Sequence, residues 1–326
     1  MASLYLDQQG ARLGREGHRL VLHDREGGTR YFPLEQVDRV MVYGQVHITV
    51  EALGTLLDSG IPTTLLTSRG RLRGHLLANH GGQVKRRVRQ YQLTHDSSQA
   101  MPLAKILVKT KIRNQRWLLR TLGAKQPAKQ LNSYLHVVGQ SANADVLRGL
   151  EGNAARIYFA AFPDLLAGTP FGFPGRRRRP PTDPINSLLS LGYTLLLAEL
   201  RNALHGYGLD PFAGVFHASD GGQPSCPLDL MEPLRCLVDR LVIRLAKQVY
   251  TPDDFHIDEK GACLLQDGRR GSFYKAWDEF LAERLLWRGE QHSYRAIIHA
   301  QIGELVHHLD NPSHVFRPLV LSALGR

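Results

Sequence analysis

The chain has 326 residues, 43% hydrophobic and 22% charged, which is ordinary globular usage and enough length to bury a core in one large or two modest domains. Lys+Arg 41 against Asp+Glu 30 leave a net charge of +11, so the expected partner is anionic. Three cysteines (Cys226, Cys236, Cys263) without a C-x-x-C pair argue against a disulfide framework or thiolate zinc site and fit a cytoplasmic setting. MASLYLDQQG at the start lacks a signal-peptide layout. The most apolar stretch, Leu188–Leu200, is interrupted by Ser190, Gly192 and Tyr193, which excludes membrane insertion as a working reading.

Taken in chain order, the first eighty residues predict strands. Leu4–Leu6, Arg19–His23, Thr29–Phe32 and Val37–Tyr43 are separated by Gly-containing turns, the spacing of an antiparallel meander or small sandwich. One helix is predicted over Val50–Ser59, ending at Gly60, followed by strands at Ile61–Leu66 and Leu72–Leu77 and a linker at His80-Gly81-Gly82. From about Val84 the apolar period becomes helical. Leu103, Ile106, Leu107, Trp117 and Leu118 lie in one uninterrupted segment, and further helices are predicted over 144–162, 184–206, 229–250, 274–287 and 292–309. Pro170–Pro181 is rich in Pro, Gly and Arg and must be a loop, and Thr251–Ser272 suits a hairpin. The predicted fold is α+β: a small N-terminal antiparallel β domain over 1–82, then a larger all-α catalytic domain over 83–326.

The positive charge is concentrated. Between Ser97 and Ala144 there are eight Lys/Arg and no Asp or Glu. Lys105, Lys109, Arg113, Arg116 and Arg120 recur at helical spacing, which stacks them on one face about 6 Å apart along the axis. Phosphates along a nucleic-acid backbone would relieve their mutual repulsion. Lys85, Arg86, Arg87 and Arg89 form a second cluster, and Arg176, Arg177, Arg178 and Arg179 a third. A solvated basic face explains any one of them; three together favour nucleic-acid contact.

No nucleotide-binding glycine loop, zincin or hydrolase-elbow motif is present. What remains is carboxylates and histidine in apolar helical surroundings, the raw material of a divalent-metal phosphodiester site. Glu151 lies beside the apolar stripe of its helix, with Gly152, Ala154 and Ala155 allowing close approach. A surface glutamate would look the same. His217 ends the apolar run Gly214-Val215-Phe216, where a hydrogen-bonded core or strand-end histidine is the commoner occupant. Asp229 and Glu232 flank Leu230-Met231 just before Pro233, which places them in a helix's first turn, where capping alone accounts for acidic residues.

In this order and within these flanks the motifs resemble the CRISPR-associated spacer-acquisition integrase, the metal-dependent DNA endonuclease/integrase of CRISPR adaptation. The matching pieces are Glu151–Tyr158 (EGNAARIY), Arg179–Tyr193 (RPPTDPINSLLSLGY), Gly208–Pro211 through His217, and Leu228–Glu232 (LDLME). Lys109–Gln115 (KTKIRNQ) is similar to the family's first large helix. The resemblance implies that Glu151, His217 and Glu232 are metal ligands for one Mg²⁺ or Mn²⁺. Asp229 would be a nearby acidic residue, behind the ligands or an alternative to them. It also implies a symmetric homodimer, a small ferredoxin-like companion subunit, and a β-rich N-terminal domain used for dimerisation and companion docking. Pro227 and Pro233 depart from the family's pattern.

The expected reaction is strand transfer: the 3′-hydroxyl of a captured double-stranded DNA fragment attacks a phosphodiester at the edge of a CRISPR repeat, with the basic stripe holding backbone. A non-catalytic nucleic-acid-binding scaffold and a structure-specific DNA repair nuclease are the alternatives. The first would bind regardless of chelator, and the second would prefer branched DNA to an intact repeat.

Overall fold

The computed structural model describes residues 2–68, 72–76, 78, 83–217 and 222–324; the linker expected at His80-Gly81-Gly82 lies outside them. Contacts divide the chain into two units, Met1–Gly81 with Asp267–Asp278, and Gly82–Gln266 with Glu279–Arg326. The first thus takes in Asp267–Asp278, from a segment that the sequence places wholly in the helical domain.

The first unit contains two four-stranded sheets. β1 (Ala2–Leu6), β2 (Arg12–Glu16), β3 (Arg19–His23), β4 (Thr29–Pro33), β5 (Val37–Tyr43) and β6 (His47–Ile48) precede helix α1 (Val50–Asp58), and β7 (Thr63–Leu66) and β8 (Leu72–Leu76) follow it. The orders are β1-β5-β7-β8 and β4-β3-β2-β6. β2-β3-β4 is the expected antiparallel meander, but β1–β5, β5–β7 and β2–β6 pair in parallel. The expectation of a purely antiparallel domain is therefore corrected. A parallel pair needs a crossover, and α1 provides one between β5 and β7. Thr49 caps α1 by accepting from Ala52 N–H at 3.2 Å, and Gly60, at φ +64, allows the turn beyond it. Leu6, Leu13, Leu20, Val40, Ala52 and Leu56 form a core drawn from both sheets and α1. The Tyr274 ring stacks on Tyr5 and Tyr43 at 4.4 and 5.0 Å, which ties Asp267–Asp278 into this unit.

The second unit is built on α2 (Val84–His95), α3 (Ser97–Thr121), α4 (Lys125–Gly139), α5 (Ala144–Ala160), α6 (Phe162–Leu165), α7 (Pro184–Gly206), α8 (Ser225–Met231) and α9 (Arg235–Gln248). α3 packs against α4 and α5, and α7 against α8 and α9. Asp183 caps α7 by accepting from Asn186 N–H at 2.9 Å, with Pro184 in the first turn. The predicted helix 229–250 begins earlier and is broken: a 3₁₀ turn, Glu232–Leu234, separates α8 from α9. Pro233 has no N–H to donate to an α-helical ladder, so the chain tightens there.

The unit is not all-helical. β9 (Phe255–Ile257) and β10 (Cys263–Leu265) make the expected hairpin. Predicted helix 274–287 instead splits into the end of α10 (Asp267–Ala282) and strand β11 (Arg284–Trp287), which pairs with β12 (Glu290–Ser293). Arg288 and Gly289 both have positive φ, 53 and 88°, the two-residue geometry of a tight hairpin, and that pairing overrides local helix propensity. α11 (Tyr294–Asp310) completes the unit. Among the described residues, no helix is long and apolar enough to cross a membrane.

Candidate metal centre and nucleic-acid interface

Glu151 sits in the middle of α5, Asp229 on α8, and Glu232 at the start of the 3₁₀ turn. His217 is the last described residue before position 222 in the irregular segment after α7. Gln90 of α2 pins that segment: its side-chain amide donates to the carbonyls of Asp210 and Ala213 at 2.8 and 2.9 Å, and its oxygen accepts from Asp210 N–H at 2.8 Å. Ser225 Oγ accepts from Gly214 N–H at 3.0 Å. A Cβ on Gly214 would lie 2.6 Å from Asp229 Oδ2 and equally close to the carbonyl carbon of Ser225, so only glycine lets the segment approach α8 this closely.

That approach delivers four donors to one buried carboxylate. Asp229 Oδ2 accepts from the backbone N–H groups of Val215 and Phe216, and Oδ1 from His217 N–H at 2.9 Å and His217 Nδ1 at 2.6 Å. A carboxylate can only accept, so the proton of a neutral imidazole lies on Nδ1 and Nε2 carries the lone pair. Nε2 stands 3.7 Å from Glu232 Oε1. Neither α8 nor α9 has a side-chain cap, so neither Asp229 nor Glu232 serves as the helix cap that first-turn placement suggested.

Glu232 is buried among cations. Arg235 donates to its Oε1 through Nε at 2.9 Å, with its other nitrogen at 2.8 Å. Burial opposes the charge, but Arg235, Lys111 and His217 outweigh it and hold the Glu232 carboxyl well below its ordinary range. Burial likewise opposes the charge of Arg235, and Glu232 overcomes it, so the guanidinium is held more firmly protonated than usual. Lys111, on the inner face of α3 and 3% exposed, ion-pairs through Nζ with both Glu151 and Glu232. As they stand, no three His, Cys, Asp or Glu side chains among the described residues are grouped to bind an ion; the Lys111 ammonium bridges the two glutamates. Asn114, one turn along α3, braces the 3₁₀ turn: it donates to the carbonyls of Pro233 and Leu319 at 2.7 and 2.8 Å and accepts from Leu321 N–H at 2.9 Å.

A second buried layer lies behind Arg235. Its guanidinium and that of Arg176 stand 5.0 and 5.4 Å from the Tyr193 ring. Tyr193 and Tyr158 both donate to Asp239, Tyr158 at 2.7 Å. Desolvation pushes the Asp239 carboxyl up to about 6, against the two hydroxyls and the two arginines.

Of the basic residues, Lys105, Lys109, Arg113 and Arg116 are half-buried on α3 and Arg120 is exposed, and none forms a salt bridge among the described residues. Arg177, Arg178 and Arg179 are exposed. Arg176 is instead committed to its own loop, donating to Asn186 Oδ1 at 2.7 Å and to the Arg177 carbonyl at 2.7 Å. In the cluster at α2, Arg86 and Arg89 pair with Asp310 at 2.9 Å, and Arg87 donates to the Gly208 carbonyl at 3.3 Å. Structural ties thus consume much of that second cluster.

Sequence reasoning passed over Lys111, Asn114 and Arg235. Lys111 is off the basic stripe and in the apolar register of α3, one turn from Leu107, and a lysine there needs buried carboxylate partners. That position was the available signal.

The model of the CRISPR associated protein Cas1 family matches residues 4–279. The CRISPR-associated endonuclease Cas1 1 of Chlorobaculum tepidum is 32% identical over 98% of both chains. Among solved structures, a Cas1 protein from Thermotoga maritima superposes with TM-score 0.85 at 25% identity, over 98% of this chain and 100% of that one. A chain in a solved Cas6-RT-Cas1–Cas2 complex gives 0.83 at 26% identity, over 98% of this chain and 36% of that one. The match to the family model and the full-length relative place this chain in the CRISPR-associated Cas1 family.

Proposed function

We propose that the chain is a metal-dependent DNA endonuclease and integrase of CRISPR adaptation, which joins the 3′-hydroxyl ends of captured DNA fragments to a CRISPR repeat by transesterification. The observation that carries this reading is the buried Asp229 carboxylate, whose Oδ1 holds His217 by its N–H and Nδ1 and so presents Nε2 toward Glu232. Glu151 joins them through the shared Lys111 contact.

Glu151, His217 and Glu232 would hold the ion. Two carboxylates and an imidazole suit Mg²⁺ or Mn²⁺, and the buried Glu232 Oε2, met only by the Lys111 ammonium among the described residues, is an acceptor of the kind a ligand set uses. Asp229 is better suited to orienting His217 than to ligation, because both its oxygens are taken. A bound ion would supply charge stabilisation at the phosphoryl and leaving oxygens. The protein's own residues do the rest. Asp229 fixes the imidazole tautomer, and Arg235 keeps Glu232 ionised and aimed. The Tyr158 and Tyr193 hydroxyls are donated to Asp239, and burial, with the nearby Asp239 charge, raises both pKa values, so neither is offered as a nucleophile. Direct attack by a DNA 3′-hydroxyl needs no covalent protein intermediate, and water in its place gives a nuclease.

The unpaired cations of α3 and Arg177–Arg179 would hold phosphates of double-stranded DNA rather than read bases. By the same reading the chain works in the cytoplasm as a homodimer with a small ferredoxin-like companion, docked through the β-rich N-terminal unit. The likeness to a chain of a solved Cas1–Cas2 assembly supports the companion.

The test pairs a supercoiled plasmid carrying a CRISPR repeat with labelled duplexes ending in either a 3′-hydroxyl or a 3′-deoxy nucleotide, in Mn²⁺. Label should join the plasmid only from the 3′-hydroxyl duplex. Chelator-insensitive binding without joined or cut product would favour a non-catalytic scaffold. Cleavage of flaps in preference to the repeat would favour a repair nuclease.

A further inference from the structure

We propose that Lys111 is a resident counter-ion of the Glu151–Glu232 pair, which holds the two carboxylates together in the ion-free protein and must withdraw when the divalent ion is bound. The inference rests on the ligand set proposed above. Three observations support it. Lys111 is buried at 3% exposure, where an unpaired ammonium would be prohibitively costly. Its Nζ contacts carboxylates from two different elements, α5 and the 3₁₀ turn, so it links the parts that would form the site. Glu232 Oε2 meets that ammonium and has no other polar partner among the described residues, so the ammonium occupies the acceptor that a bound ion would take.

Without Lys111 the two carboxylates would repel, and bringing them together without an ion would strain the fold. An ammonium between them removes that repulsion. The same ammonium opposes entry of a doubly charged ion, since a positive charge held a few ångströms away disfavours it even when screened. Lysine's flexible four-carbon stem and compact head allow it to leave the pair without backbone change, which the fork of Arg235 on Glu232 does not. Lys111 is accordingly a positioning residue that couples ion loading to side-chain withdrawal. In the ion-free protein it keeps the carboxylates paired, and on loading it surrenders them.

The experiment uses the purified full chain, stripped of metal, as wild type, Lys111→Met and Glu151→Gln. Mn²⁺ affinity is read from the electron paramagnetic resonance signal of free Mn²⁺, and thermal midpoints are read in EDTA and in Mn²⁺. Lys111→Met should bind Mn²⁺ on the order of ten-fold more tightly, melt lower in EDTA, and gain more from Mn²⁺ than wild type does. Unchanged or weaker Mn²⁺ binding by Lys111→Met, with Glu151→Gln still weakening it, would overturn the counter-ion role alone. If Glu151→Gln leaves Mn²⁺ affinity unchanged, the ligand set is wrong and the inference falls with it. Should Lys111→Met not fold, amine-selective labelling of wild type followed by mass spectrometry decides: Lys111 should be protected without metal and labelled with Mn²⁺. Equal protection in both states would refute withdrawal.

Discussion

Replacing Asp229 by Asn removes the charge that gathers three backbone N–H groups and His217 Nδ1 at one carboxylate. Asparagine keeps one carbonyl oxygen, so about two of the four donors would face an amide that is itself a donor. At roughly 1–3 kcal/mol for each unsatisfied buried donor, the ion-free protein should lose about 2–5 kcal/mol after partial relaxation. His217 also loses the partner that sets its tautomer, which in supporting positions of metal sites costs about 10–100-fold in affinity. Denaturant unfolding in EDTA and Mn²⁺ titration by electron paramagnetic resonance measure the two effects separately. In the proposed ligand set Asp229 orients His217 without ligating the ion, so raising Mn²⁺ should restore most of the strand-transfer rate. Wild-type stability and affinity in Asp229→Asn would refute the reasoning. A loss that saturating Mn²⁺ does not recover, equal to that of Glu151→Gln, would make Asp229 a ligand.

Asp239, pushed up to about 6 from 3.8, binds its proton more tightly folded than unfolded, so stability should fall as pH rises through that window and the penalty, about 3 kcal/mol, is complete above it. Unfolding of wild type and Asp239→Asn at pH 4 and 7 should show wild type losing about 2.5 kcal/mol relative to the variant, since part of the penalty is already present at pH 4; a flat difference contradicts the assignment. Arg113→Ala with Arg116→Ala should weaken duplex binding at every sequence and reduce the slope of log affinity against log salt by about 1.8, with Mn²⁺ affinity unchanged; an unaltered slope removes α3 from the interface. Gly214→Ala should lower Mn²⁺ affinity, since its Cβ would collide with Asp229 and Ser225. Gly152→Ala, with nothing within 4 Å of its Cβ, should raise stability by roughly 0.5–1 kcal/mol and leave Mn²⁺ affinity alone; equal behaviour of the two variants would refute the close-approach argument.

Elements with a local cause could be read from the sequence. Gly-punctuated alternation marks β3, β4 and β5, Thr49 and Gly60 bracket α1, and Asp183-Pro184 opens α7. Strand direction could not be read, because β1 meets β5 only through pairing across the intervening meander. Strand β11 was hidden because Arg284–Trp287 (RLLW) is rich in good helix formers and its turn uses Arg288 at positive φ. Glu151, His217, Asp229 and Glu232 were picked out by their order and flanks; His217 meets Asp229 and stands 3.7 Å from Glu232, while Glu151 reaches Glu232 only through Lys111. Their proposed division of labour was not recognisable, since only the contacts distinguish Asp229, whose oxygens take four donors, from Glu232, whose Oε2 meets only the Lys111 ammonium among the described residues. Lys111 was missed for a physical reason: a search for cations on a solvent face passes over one buried against carboxylates.

The most direct test of the central claim is the amount of labelled 3′-hydroxyl duplex joined to a repeat-bearing plasmid by wild type, Glu151→Gln and Glu232→Gln, each in Mn²⁺ and in EDTA. Joined product from wild type in Mn²⁺ alone, with both variants folded and inactive, is the expected result. Full joining by either variant, or by wild type in EDTA, would contradict a metal-dependent site built on these two glutamates.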